Sequence, residues 1–182
     1  SPMKVLLCVP RHRSIDPPAE RFLIHTFGAC LNEGWEVASV DPGVLCGCYE
    51  EEARELACDY AIENDMDAII MCDSDQYLSG EESVELVNAA LIDGYVFLAA
   101  PYPIRNRGLP SWDMAKHEDR GRLRAWDKRA VLEAIEQAKP IPVGHYGGTG
   151  TCVINVHELK KLPKPWWFRE SLGKEGDDVW FC

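Results

Sequence analysis

The chain has 182 residues, 46% hydrophobic and 27% charged, which is enough for one domain with a sizeable core and ordinary for a globular protein. Its formal net charge of −11 opposes polyanions, so neither nucleic acid nor an anionic membrane surface is expected as a partner. A small phosphorylated ligand stays open, because a metal and a few local cations reverse the sign within one cleft.

Eight cysteines occur without a CxxC pair, which removes the strongest zinc and thioredoxin-type signals. Cys8, Cys72 and Cys152 lie in apolar runs and read as small hydrophobes; Cys46-Gly47-Cys48 reads as loop thiols. This usage suits a reducing cytosol better than a disulfide scaffold, so a cytoplasmic location is expected. Val5 to Val9 is too short for a signal or a membrane span and runs into Pro10-Arg11-His12-Arg13, so no span is expected. Ser1-Pro2 before Met3 reads as a cloning remnant.

Met3 to Val9 is predicted as the first strand, closed by Pro10. Ala19 to Glu33 carries Phe22, Leu23, Thr26, Phe27 and Leu31 at helical spacing, with Gly34 as a C-cap. Trp35 to Val40 is a second strand, ended by Asp41-Pro42-Gly43. Glu50 to Asn64 is a second helix, with acids crowding its first turn and an apolar face of Ala53, Leu56, Ala57, Tyr60 and Ala61. Ala68 to Cys72 is a third strand. Glu81 to Ile92 is a third helix, with Val84, Val87, Ala90 and Leu91 facing inward. Tyr95 to Ala100 is a fourth strand. Such alternation implies a parallel sheet with right-handed crossovers.

The remainder is less regular. Residues 101–127 are rich in Pro, Arg, Gly and Trp and read as a long irregular loop. Arg129 to Ala138 is a short helix, Thr151 to Val156 a strand, His157 to Leu162 a helical turn, and Lys164 to Phe168 an aromatic loop. This half is too short and strand-poor to stand as its own domain, so a single domain is expected.

The sharpest feature is the run Ala68-Ile69-Ile70-Met71-Cys72 ending in Asp73-Ser74-Asp75. Open α/β sheets bind ligands beyond the carboxyl ends of their strands, which is where these acids fall. Two close carboxylates repel unless a cation or proton lies between them. A hard divalent metal shared with a substrate diphosphate satisfies both; an acidic turn is the plain alternative. Gly147-Gly148-Thr149-Gly150 precedes the strand at Thr151 and allows close backbone approach to a ligand, or is simply a turn. It is no P-loop, because no Gly-Lys-Ser/Thr follows. Asp177 and Asp178 form a second acidic pair, fit for a general base or for a helix N-terminus. Arg11, His12, Arg13, Arg105 and Arg107 follow the first and fourth strands, at the same sheet edge as Asp73, and are phosphate contacts or solvated cations. Trp166, Trp167 and Phe168 form a stacking platform or, by a small margin, core. His25 and His157 read as structural, and His145 as a ligand candidate.

In this order, Asp-x-Asp after three βα units, the Gly-rich strand entry and Gly176-Asp177-Asp178-Val179-Trp180-Phe181-Cys182 resemble the GT-A glycosyltransferases, family 2 above all. That family usually carries Gly-Glu-Asp where Asp177 stands here. The resemblance spans nearly the whole chain. It implies a GT-A-like α/β/α sandwich with a mostly parallel sheet, residues 1–100 forming the nucleotide half and 101–182 the acceptor and catalytic half. It implies a metal-dependent, hexosyltransferase-type enzyme moving a sugar from a nucleotide-diphosphate sugar to a glycan or other hydroxyl acceptor.

Residue by residue, the resemblance assigns Asp73 to the nucleotide ribose or a metal-bound water. It assigns Asp75 to Mn²⁺ or Mg²⁺. Asp178 is the base of an inverting transfer, with Asp177 supporting the acceptor. Pro10, Arg11 and Asp41 hold base and ribose, and Gly148 and Thr149 lie near a sugar. The family usually continues past this motif and often supplies a metal-binding His. Here four residues follow Asp178, which reads either as truncation or as a minimal form whose metal shell is completed by water or His145. The rival readings are a sugar-nucleotide nucleotidyltransferase, which would want a Gly-rich basic loop after the first strand, and a degenerate nucleotide-sugar or glycan-binding module.

Overall fold

Strand β1 (Lys4–Cys8) and strand β3 (Ala68–Cys72) are the spine of the molecule, and every residue of β3 is buried. A strand covered on both faces has no polar side, which is why 68–72 reads as an unbroken apolar run. The computed structural model describes residues 1–10, 14–39, 50–100, 114–119, 122–125, 129, 132–133, 136–137, 140, 146–147, 150–164 and 166.

Helix α1 (Pro17–Asn32), β2 (Glu36–Ser39), α2 (Glu50–Glu63), β3, α3 (Gly80–Asp93) and β4 (Phe97–Ala99) follow β1 in alternation. Proline opens α1, where no intrahelical N–H is needed. Ser79 and Glu82 close a capping box on α3, and Gly94, at φ 71°, ends it in the left-handed region. Then come β5 (Met114–Asp119), β6 (Arg122–Ala125), β7 (Tyr146–Gly147), β8 (Thr151–Asn155) and the one-turn α4 (Val156–Leu159).

The main sheet has five strands in the order β2-β1-β3-β8-β4. Strands β2, β1 and β3 pair in parallel, while β8 runs antiparallel to both β3 and β4. The sheet is therefore mostly parallel, with one reversed strand that alternation alone did not indicate. Alternate side chains feed two cores. On one face Val5, Leu7, Ile70 and Val153 meet Ala19, Phe22, Val87 and Ala90 of α1 and α3. On the other, Leu6, Ile69, Met71 and Ile154 meet Ala53, Ala57, Cys58 and Ala61 of α2. The result is a three-layer α/β/α arrangement.

The crossovers depart from the uniform right-handed expectation. The first moves from β1 out to β2 with α1 on one face, and the second returns past β1 to β3 with α2 on the other, so these two share a hand. The third continues in the second's direction to β4, yet α3 lies on α1's face, so its hand is opposite.

The irregular loop expected over 101–127 contains a hairpin. Strands β5 and β6 pair antiparallel with a bulge between Ala115 and His117, and β7 adds to β5 through Ala115–Tyr146 and Met114–Gly147. Its sequence, Met-Ala-Lys-His-Glu-Asp, has no apolar alternation to reveal a strand. Residues 129, 132, 133 and 136 are helical, as expected for that stretch. No helix among the described residues is long and apolar enough to cross a membrane.

Candidate functional site

Strand β3 is the middle strand of the sheet, and Asp73-Ser74-Asp75 leaves its carboxyl end. The backbone holds this turn from two sides. The Asp73 N–H donates to the Gly150 carbonyl at 2.7 Å, and the Ser74 carbonyl accepts from Asp16 N–H at 2.7 Å. Gln76 N–H closes the turn on the Asp73 carbonyl at 3.0 Å. The entry to β8 and the entry to α1 therefore clamp the acidic turn between them. The exit of β4 joins the same edge, where Ala100 N–H donates to Thr151 O at 3.0 Å and Thr151 Oγ1 to Ala100 O at 3.1 Å. Pro10 is buried, and continuing the Cys8–Met71 register places it level with Asp73.

Behind the turn lies a residue that apolar periodicity could not single out. Arg54, on α2, donates from Nη2 to Asp73 Oδ1 at 2.9 Å, with side-chain exposures of 2% for Arg54 and 26% for Asp73. Arg54 shares the inner side of α2 with Ala53, Ala57, Cys58 and Ala61, against Met71 and Cys8 of the sheet. A buried guanidinium is stable only beside compensating anions, and Asp73 supplies one. The sequence offers a faint signal: Arg54 stands in register with Cys58 and Ala61 on one helical stripe. In a helix opening with Glu50-Glu51-Glu52, however, an arginine reads as a surface partner.

The thiol beneath the turn, Cys72, is fully buried. Burial pushes the Cys72 pKa far above its usual range, and Asp73 and Asp75 push it in the same direction. Cys8, Cys30, Cys58, Cys72 and Cys152 are buried, the small-hydrophobe role expected for three of them. Burial, with Glu33 adding to it, likewise raises Cys30 to about 11.

Of the residues singled out in the sequence, Pro10, Asp73 and Asp75 come to one sheet edge, joined there by the Gly150 carbonyl. Arg11, Asp41, His145, Gly148, Thr149, Asp177 and Asp178 lie outside the described residues, as do Trp167 and Phe168. Trp166 is core: it is 6% exposed, packs with α2's inner residues, and donates from Nε1 to Leu162 O at 3.3 Å. His157 is structural, paired with Asp67 Oδ1 at 2.8 Å at the opposite edge of the sheet. His25 is exposed on α1 and meets the Tyr77 hydroxyl at 3.0 Å.

Among the described residues no group of three or more His, Cys, Asp and Glu is arranged to hold a metal ion. Asp73 and Asp75, both half-buried, are the carboxylates that follow β3 at this edge. Mg²⁺ and its relatives commonly take one or two protein carboxylates and complete their shell with water and substrate phosphates, and the pair fits that pattern.

No protein-family model matches the sequence, and no curated protein matches it. Among solved structures the chain is similar to the crystal structure of A197 from STIV, with a TM-score of 0.60 and 19% sequence identity over 98% of this chain and 75% of that one. At that identity the likeness establishes a shared α/β fold across nearly the whole chain.

Proposed function

We propose that the chain is a metal-dependent glycosyltransferase of the GT-A type, transferring a sugar from a nucleotide-diphosphate sugar to an acceptor hydroxyl. The observation that carries this reading is the placement of Asp73 and Asp75 at the carboxyl end of the central strand, where open α/β sheets receive ligands. The contact of that turn with the Gly150 carbonyl at the entry to β8 supports it, because the last residue of the Gly-rich segment then lies against the acidic turn.

In this reading Asp75 holds the divalent cation and Asp73 faces the nucleotide. A bound Mn²⁺ or Mg²⁺ would supply positive charge to the departing diphosphate. Asp178 accepts the proton of the acceptor hydroxyl as its oxygen bonds to the anomeric carbon. The bond from that carbon to the diphosphate oxygen breaks, and the nucleoside diphosphate leaves with the electron pair. Asp177 supports the acceptor, Pro10, Arg11 and Asp41 border the base and ribose, and Gly148 and Thr149 lie near a sugar.

The test is a thermal-shift series with UDP, GDP, CDP and ADP and their sugars, each with Mn²⁺ and with EDTA. A ligand at a hundredfold excess over its dissociation constant adds roughly 2.7 kcal/mol of stability, which is readily seen. One nucleotide should stabilise the protein, only with metal, and Asp75→Ala should abolish that shift. Asp178→Asn should keep the shift and lose transfer. No shift with any nucleotide would remove the transferase reading; binding without transfer by the unaltered chain would leave a nucleotide-sugar-binding module.

A further inference from the structure

We propose that Arg54 is the positioning residue of the acidic pair, fixing the orientation and charge of Asp73 from inside the protein; the proposal rests on the transferase reading above. At 2% exposure Arg54 is shut off from solvent, and it reaches the sheet edge through the carboxylate it holds at 2.9 Å. Asp73 is thereby pinned at three points: Oδ1 by Arg54, its N–H by Gly150, and its carbonyl by Gln76. A carboxylate committed at one oxygen to a rigid guanidinium cannot rotate to chelate a cation with both oxygens. Its remaining contacts are set before a ligand arrives, which lowers the ordering cost of binding.

Charge points the same way. Asp73 and Asp75 are separated by one residue and repel each other, and a guanidinium beside Asp73 offsets that repulsion without a metal. The arrangement assigns the two acids different tasks. Asp75 carries the larger share of cation binding, and Asp73, neutralised from behind, orients the nucleotide. Arginine rather than lysine is required, because the planar guanidinium presents donors in a fixed fork while an ammonium is a mobile point charge.

The test is a double-mutant cycle read by calorimetric titration of UDP, GDP, CDP and ADP in saturating Mn²⁺. The variants are Arg54→Lys, Asp73→Asn and the pair, each first checked for native circular dichroism and a cooperative melt. Each single substitution should weaken nucleotide binding about tenfold, the usual scale for a residue one step behind a ligand-binding carboxylate. The double variant should be no weaker than the weaker single one, because both remove the same contact. Independent effects, multiplying to about a hundredfold, would overturn the proposal, as would wild-type affinity in Arg54→Lys. If Arg54→Lys fails to fold, Asp73→Glu is the second variant, because it leaves Arg54 in place and keeps a negative charge near it. It keeps the charge and displaces the carboxylate by one methylene, so it should also lose about tenfold, and undiminished affinity would overturn the positioning role. Failure of the unaltered protein to bind any of the four nucleotides would instead strike the transferase reading itself.

Discussion

Asn155 joins three elements through one side chain. It ends β8 at 3% exposure, donates from Nδ2 to Ala90 O near the end of α3 at 3.1 Å, and accepts at Oδ1 from His157 N–H at 3.0 Å and Glu158 N–H at 3.3 Å. It is at once the N-cap of α4 and a tie between sheet and helix layer. Asn155→Ala strands a buried carbonyl and two amide donors, and should cost about 2–3 kcal/mol in urea unfolding. Asn155→Asp keeps the cap acceptor but sets a carboxylate against the Ala90 carbonyl, so it should not recover that loss. A loss under about 0.5 kcal/mol for the alanine variant would show that this contact is not part of the cooperative unit. Single polar residues of this sort are the least legible in sequence. Asp73 and Asp75 stood out because they end an apolar run. Asn155 interrupts one too, but a lone amide inside the expected strand from Thr151 to Val156 reads as an ordinary strand residue. Arg54 is hidden more deeply, because its partner is 19 residues away and only the fold brings them together.

Helices α1 and α3 show what element-level periodicity can and cannot find. Both helices and their approximate bounds are legible, but the inner stripe of α1 is shifted from expectation. Ala19, Phe22, Thr26 and Cys30 are buried, while Phe27 and Leu31 stand 47% and 50% exposed. The cause is the neighbour. Against α1, α3 presents Gly80 and Ser83, and Thr26 Oγ1 meets Ser83 Oγ at 3.1 Å. The two helices meet through small and hydroxyl side chains, which hydrophobic counting passes over. Leu56 on α2 is likewise turned outward at 40% exposure, and the buried stripe runs instead through Ala53, Arg54, Ala57, Cys58 and Ala61. The helix contact makes a direct prediction. A Cβ on Gly80 would lie 2.6 Å from His25 O and 2.7 Å from Ala29 Cβ, and neither atom belongs to a flexible side-chain end. Gly80→Ala should therefore push the helices apart and cost about 1–3 kcal/mol, despite alanine's better helix propensity. Gly28, where an added Cβ would meet nothing within 4 Å, is the control. Gly28→Ala should be neutral or stabilising by up to about 1 kcal/mol, and equal midpoint shifts in the two variants would show that close packing at Gly80 is not limiting.

At the scale of the whole molecule the dominant fact is charge. With 30 acidic against 19 basic residues, the net −11 produces a field that repels a free nucleoside diphosphate and attracts its metal ion. Under the proposed reading the donor should arrive as a metal complex, or the cation bind first, because either route cancels most of the ligand's negative charge before contact. The buried Arg54 softens the field only locally, at Asp73. Salt separates the two scales. The Debye length falls from about 30 Å at 0.01 M to about 8 Å at 0.15 M, so the field of distant carboxylates is screened while contacts within the acidic turn persist. Mn²⁺ affinity, followed by water-proton relaxation, should therefore weaken by roughly threefold to tenfold over that range in potassium chloride. Asp75→Ala should lower the affinity at both salt concentrations and keep a comparable salt dependence, since the surface field is almost unchanged. A salt-independent dissociation constant would mean that the acidic turn binds the ion by its own geometry and that the surrounding charge contributes nothing to capture.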